Sequence, residues 1–219
     1  MQKNKTAYFI TGTDTDVGKT YIASALIKHF CKQGLISVGM KPVAAGAELV
    51  YGHLLNSDVT DLINAGNVNA DRNLINPYVF APAIAPHIAA EQVGVSVSLD
   101  KIQQAFDALQ SQAEVVVVEG AGGFRVPINR QETMADLAVK LDLPIILVVG
   151  VRLGCINHAL MTAASIRAAG LNLVGWVANR IDPNMQVIEE NIATLKAVLK
   201  APCIADVTWG ELPEFDLGF

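Results

Sequence analysis

The segment "GTDTDVGKT", residues 12–20, decides how the chain is read. It follows "TAYFI", a short β-branched and aromatic run, and it opens an amphipathic stretch in which Ile22, Leu26, Ile27 and Phe30 share one helical stripe. Strand, glycine-rich turn, then helix is the setting of a phosphate-binding loop. The usual spelling places the first glycine five residues before Gly18, at Thr13; here it comes one place early, at Gly12. Gly18 allows the backbone to close on a phosphate, and N–H groups at the helix start point toward it. Lys19 supplies a point charge for the terminal phosphates, and Thr20 a hydroxyl for Mg²⁺.

Outward from the loop, Val/Ile runs and helical patterns alternate. Strand-like runs are "ISVGMKPVAAG", breaking at Lys41-Pro42, then "EVVVVEGAGG", "PIILVVGV", "LNLVGWVANRI" and "PCIADV". Between them lie helical patterns: "SDVTDLINAG" with Ser57 as its cap, "LDKIQQAFDALQSQ", "ETMADLAVKLD", "NHALMTAASIRAAG" and "MQVIEENIATLKAVLK". Residues 67–97, rich in Asn and Pro, are the least regular part. Continuous rather than alternating apolar runs imply strands covered on both faces. The expectation is an α/β fold: a mostly parallel sheet wrapped by helices on both faces, P-loop NTPase-like, with residues 1–219 as one domain. Ligands then sit at the carboxyl ends of the strands.

The bulk composition excludes several classes. A net charge of −5 without a basic run argues against nucleic acid as a partner. No apolar run is long enough for a membrane span, and the run before the loop is too short for a signal sequence. Cys31, Cys155 and Cys203 are scattered, as expected of reduced thiols in the cytoplasm. His29, His53, His87 and His158 form no catalytic set.

Candidate chemistry lies at strand ends. Glu119 closes "EVVVVE" and suits Mg²⁺, directly or through water. Asp58 is either a second metal carboxylate or a first-turn acid stabilised by the helix dipole. Lys41, at the end of the second strand, is either an active-edge cation or a surface lysine. Glu114 reads as a solvated strand start.

Taken in order, "GTDTDVGKT", "KPVAAG", "NSD", "NPYVF", "PHIAAE", "VVVEGAGG", "LVVGVRLGCINHA" and "GWVAN" closely resemble the dethiobiotin synthetase family, from Thr11 to Trp209. The early glycine is part of that family's loop. The resemblance implies an ATP-dependent ligase that closes a cyclic urea on 7,8-diaminononanoate with CO₂, through a carbamate and its mixed anhydride with phosphate. It implies ATP binding by Asp16, Val17, Gly18, Lys19, Thr20, Tyr21, Asp58, Glu119, Gly120, Ala121 and Gly122. Asn179, Arg180, Thr208, Trp209 and Gly210 fall near the adenine. Mg²⁺ is assigned to Thr20, Asp58 and Glu119, catalysis to Lys41 and Lys19. The diamine is assigned to Lys41, Ala45, Gly154, Cys155 and Asn157, the last three reaching a neighbouring subunit's site in a homodimer. Two departures stand out: Ala45 where the family often has Ser, and Thr208-Trp209 where it often has Pro-Trp. The competing assignments are a partitioning or regulatory P-loop ATPase acting on a protein partner, and a corrinoid amide ligase, for whose usual glutaminase domain the chain has no room.

Overall fold

The computed structural model describes residues 5–218. In chain order, β1 (Thr6–Gly12) leads through the loop into α1 (Lys19–Lys32), β2 (Ser37–Met40) and β3 (Val43–Ala45). A hairpin of β4 (Glu48–Val50) and β5 (His53–Leu55) precedes α2 (Ser57–Ala65), α3 (Arg72–Ile75), β6 (Tyr78–Phe80) and α4 (Pro86–Gln92). Then come α5 (Leu99–Gln112), β7 (Val115–Gly123), α6 (Met134–Leu141), β8 (Ile145–Gly150), α7 (Cys155–Ala168), β9 (Leu173–Asn179), α8 (Ile188–Val198) and β10 (Cys203–Val207).

Six strands form one parallel sheet in the order β10-β9-β8-β1-β7-β2. Successive residues of each strand point to opposite faces, and both faces are dry. Val115 and Val117, with Ile10, Ile146 and Val148, pack under Ile22, Leu26, Ile27 and Phe30 of α1 and Leu62 of α2. Val116, Val118, Leu147 and Val149 pack with Ile102, Phe106 and Leu109 of α5, Leu137 of α6, Ala163 of α7 and Leu195 of α8. Each fully buried large aliphatic side chain contributes about 1.5–3 kcal/mol relative to exposure. This double burial is what the uninterrupted apolar runs report, and the expected α/β fold holds.

Two local expectations are corrected and one holds. The helix cap before Asp58 is Asn56, not Ser57: its Oδ1 accepts the Val59 N–H at 3.3 Å. The break expected in "ISVGMKPVAAG" at Lys41-Pro42 is present, and it separates β2 from β3. The ladder of β2 with β7 ends at Met40↔Val118; beyond it Lys41 N–H goes to Ile75 C=O, Pro42 has no N–H to give, and β3 joins β6 instead. Glu114 is more than a solvated end, since its Oε2 accepts the Ile36 N–H at 2.9 Å.

Strand β1 continues through α1 toward the β2 edge of the sheet, whereas its neighbour β8 continues through α7 to β9, toward the β10 edge. The crevice at the carboxyl end of β1 is the switch point at which such folds bind ligands.

Candidate active site

The early glycine has a packing cause. A Cβ on Gly12 would lie 2.7 Å from Val17 Cγ2 and 3.1 Å from Lys19 Cδ, so the strand end admits only hydrogen there. At the other end of the loop Gly18 is left-handed, φ 85°, and a Cβ would meet Asn179 Nδ2 at 2.2 Å. Asn179, buried at the end of β9, donates that Nδ2 to Val17 C=O at 2.8 Å and so braces the loop. Lys19 is buried and donates to Asp14 C=O at 2.8 Å.

Registry brings the remaining chemistry to this point. Ile10↔Glu119 sets Glu119 beside the strand that feeds the loop, and Met40↔Val118 sets Lys41 next to Glu119. The first turn of α2 then delivers Asp58. Lys41 Nζ lies 2.6 Å from Asp58 Oδ2 and 2.5 Å from Glu119 Oε1. Thr20 Oγ1 donates to the same Glu119 Oε1 at 2.8 Å. Three residues far apart in sequence thus form one cluster with the helix start.

The charges are strongly coupled. Burial lowers the pKa of Lys41, but Glu119 and Asp58, by charge and by hydrogen bond, outweigh it, and the net shift is upward. Burial raises that of Asp58; the Lys41 charge and hydrogen bond, then Thr20 and Lys19, pull it below the usual carboxylate value. Lys19 goes the other way: burial, and next the charge of Lys41, lower it to about 8 against Glu119, Asp58 and Asp16. The two lysines are thus pushed in opposite directions, Lys41 up and Lys19 down.

Glu119 is 1% exposed, and its Oε2 is buried without a hydrogen-bond partner. Among the described residues no three His, Cys, Asp or Glu side chains gather into a cage. A Mg²⁺ ion shared with phosphates needs no cage, only a hydroxyl and one or two carboxylates. Thr20, Asp58 and Glu119, with that open oxygen, fit it.

A cavity of about 920 Å³ lies over the cluster. Its lining includes Asp16, Gly18, Lys19, Thr20, Lys41, Ala45, Asp58, Glu119, Ala121 and Gly122 from the sequence assignment. It also includes Asn56 and residues 83–86, which sequence reasoning left out. Pro86 in the first turn of α4 was a legible signal, since its fixed φ suits a helix start.

Tyr21, Asn179, Arg180, Thr208, Trp209 and Gly210 collect elsewhere, at the carboxyl ends of β9 and β10. Asn179 pairs with Val207, Arg180 N–H reaches Val207 C=O, and the Tyr21 hydroxyl donates to Glu211 C=O. The Arg180 guanidinium is engaged by Asp206 and Glu189, and Trp209 is 62% exposed. Val17 and Gly120 are buried beneath the loop, Val17 against Gly150 and Gly120 against Phe9.

Gly154, Cys155 and Asn157 do not line the cavity of their own chain. Within the turn, Cys155 N–H bonds Arg152 C=O at 2.9 Å. Arg152 itself pairs with Asp14 of the loop. Leu153 beside them is 92% exposed. Among the described residues no helix is long and apolar enough to cross a membrane.

A phosphate-type loop at the switch point of a parallel sheet, with a buried lysine–carboxylate cluster under a small-molecule cavity, defines a P-loop nucleotide enzyme. The family described as AAA domain matches residues 6–213. In fold the chain is similar to the cell division protein FtsY of Thermotoga maritima, with TM-score 0.53 and 14% identity over 99% of this chain and 66% of that one, somewhat less than two thirds of its length. It is similar also to the MinC:MinD complex of Aquifex aeolicus, with TM-score 0.53 and 16% identity over 92% and 80%. Such low identities show the fold alone. In sequence it is 49% identical to the ATP-dependent dethiobiotin synthetase BioD of Aromatoleum aromaticum, over 92% of this chain and 89% of that protein. For the proteins of the same name from Nitrosospira multiformis and Pseudoalteromonas translucida the identities are 51% (90% and 85% covered) and 44% (93% and 90%). The chain belongs to the ATP-dependent dethiobiotin synthetase family.

Proposed function

We propose that the cavity closes a cyclic urea on 7,8-diaminononanoate, with CO₂ and ATP, to give dethiobiotin, ADP and phosphate. The observation that carries the mechanism is the Lys41–Glu119–Asp58–Thr20 cluster facing the loop across a cavity of about 920 Å³, within the size range of small-ligand sites.

One amine of the diamine adds to CO₂ and loses a proton, giving a carbamate. A carbamate oxygen takes the γ-phosphoryl group of ATP, releasing ADP and leaving a mixed anhydride. The second amine attacks the carbamoyl carbon and gives up a proton, the C–O bond to phosphate breaks, and the ring closes as phosphate leaves. Every species after capture is anionic. Lys41, held charged by its two carboxylates, uses two of its three N–H donors on them and has a third for the carbamate or phosphoryl oxygen. Lys19 leaves Asp14 C=O for the terminal phosphates. Thr20, Asp58 and Glu119 would hold Mg²⁺, which supplies charge neutralisation to the phosphates. The substrate amines are the nucleophiles, so no Ser or Cys nucleophile is needed.

Asn179, Arg180 and residues 208–210 form the adenine side, flanked by Tyr21. Gly154, Cys155 and Asn157 serve the second subunit of a homodimer, holding the substrate carboxylate. Their distance from their own cavity and the exposed Leu153 support that placement. The substrates are small and water-soluble, and the enzyme works in the cytoplasm. ATP turnover measured with the diamine and bicarbonate present together, and with each withheld, tests the reading: phosphate release should require both.

A further inference from the structure

Asn76 lies outside the cavity lining, in the connection between α3 and β6, yet its side chain reaches back to Lys41. It is 7% exposed. Its Nδ2 donates to Lys41 C=O at 2.6 Å and to Tyr78 C=O at 2.9 Å, so both amide hydrogens are used. The neighbouring backbone completes the grip: Lys41 N–H donates to Ile75 C=O at 2.8 Å, and Tyr78 N–H to Pro42 C=O at 3.2 Å.

The place matters. Lys41 sits one residue beyond the last β2–β7 pair and two before the first β3–β6 pair. Neither ladder holds it. The Lys41-Pro42 bend is threaded between Ile75 and Tyr78, with Asn76 as the side chain that closes the clasp. From the backbone so held, Nζ meets Glu119 and Asp58.

We propose that Asn76 is a positioning residue for Lys41, setting the bend from which the ammonium reaches the transferring group. The inference rests on the catalytic reading of Lys41 given above. The competing role is purely structural, the satisfaction of two buried carbonyls at a chain crossing.

A double-mutant cycle separates them. Turnover of Asn76→Ala, Lys41→Ala and the double variant is expressed per nucleotide-binding site counted by calorimetry, so that misfolded molecules drop out. Misplacement by an ångström costs on the order of 10²-fold in rate. The expected result is that Asn76→Ala lowers kcat by about that factor, with KM for ATP changed less than about twofold. In the Lys41→Ala background the same substitution should change kcat by less than about twofold. An equal loss in both backgrounds, or no loss in either, overturns the proposal. If Asn76→Ala yields no folded protein, Asn76→Ser takes its place in the same cycle under the same criteria. Normal turnover in Lys41→Ala would overturn the role of Lys41 and this inference with it. Failure of the inference alone looks different: Lys41→Ala impaired, Asn76→Ala not.

Discussion

Lys41 Nζ stands 2.5 Å from Glu119 Oε1, and both side chains are almost wholly buried. Removing one member of such a pair leaves the other charge uncompensated, at a cost of about 3–5 kcal/mol. Lys41→Ala should therefore lower the urea midpoint as well as kcat, while ATP affinity by calorimetry stays near that of the parent. Lys19→Ala should do the reverse, weakening ATP binding with little change in stability. Normal turnover in Lys41→Ala would remove it from the chemistry.

The metal assignment makes Glu119 and Asp58 unequal. Glu119→Gln alters a carboxylate that is 1% exposed, has an open oxygen and is shared with Thr20. Asp58 has a side chain 39% exposed. Both substitutions should raise the Mg²⁺ concentration for half-maximal activity, Glu119→Gln more. An unchanged Mg²⁺ titration for Asp58→Asn would leave that residue as a helix first-turn acid paired with Lys41.

Lys19 carries a pH dependence. Its pKa is lowered to about 8 by burial and then by Lys41. Bound polyphosphate favours the protonated form, so the complex holds more protons than the free protein near that pH. ATP affinity should fall as pH rises through about 8, with proton uptake on binding, measurable by calorimetry in buffers of different ionisation heat. For folding, the unfolded chain binds more protons between about 8 and 10.5, so this group's contribution to stability rises with pH there. Affinity constant across the window would contradict the assignment.

The turn after β8 is tested by charge. Asn157→Asp should raise KM for the diamine and leave ATP binding alone, because helix starts favour anions and an added carboxylate repels one. A mixed dimer with Lys41→Ala in one chain and Asn157→Asp in the other should retain one intact site. An unchanged diamine KM would remove this turn from carboxylate binding, and full activity in a monomer would sink the shared site.

Much of this arrangement could be read from the chain alone, and the exceptions are instructive. The doubly buried strands were legible because Val115 to Val118 have no polar member to place on a wet face. Lys41, Asp58 and Glu119 were each visible at an element's edge. Their meeting was not, because it depends on the register of β2 with β7 and on where α2 starts. The hairpin at residues 48–55 escaped, since three residues per strand are too few to show a period. Its base is set by contacts outside it: Asn56 Nδ2 to Ala45 C=O, and Ala47 N–H to Phe80 C=O. The cap at Asn56 and the clasp at Asn76 were not legible, because an amide's partners are not written in its neighbours.

ATP cleavage here should be coupled to ring closure. The most direct measurement supplies ¹³C-bicarbonate, ATP, Mg²⁺ and 7,8-diaminononanoate, and follows the ureido carbon by NMR alongside phosphate release. Labelled ureido carbon and phosphate should appear in equal amounts, with neither formed when the diamine or bicarbonate is withheld. Phosphate released at the same rate without the diamine, or without any labelled ureido carbon, would contradict that coupling.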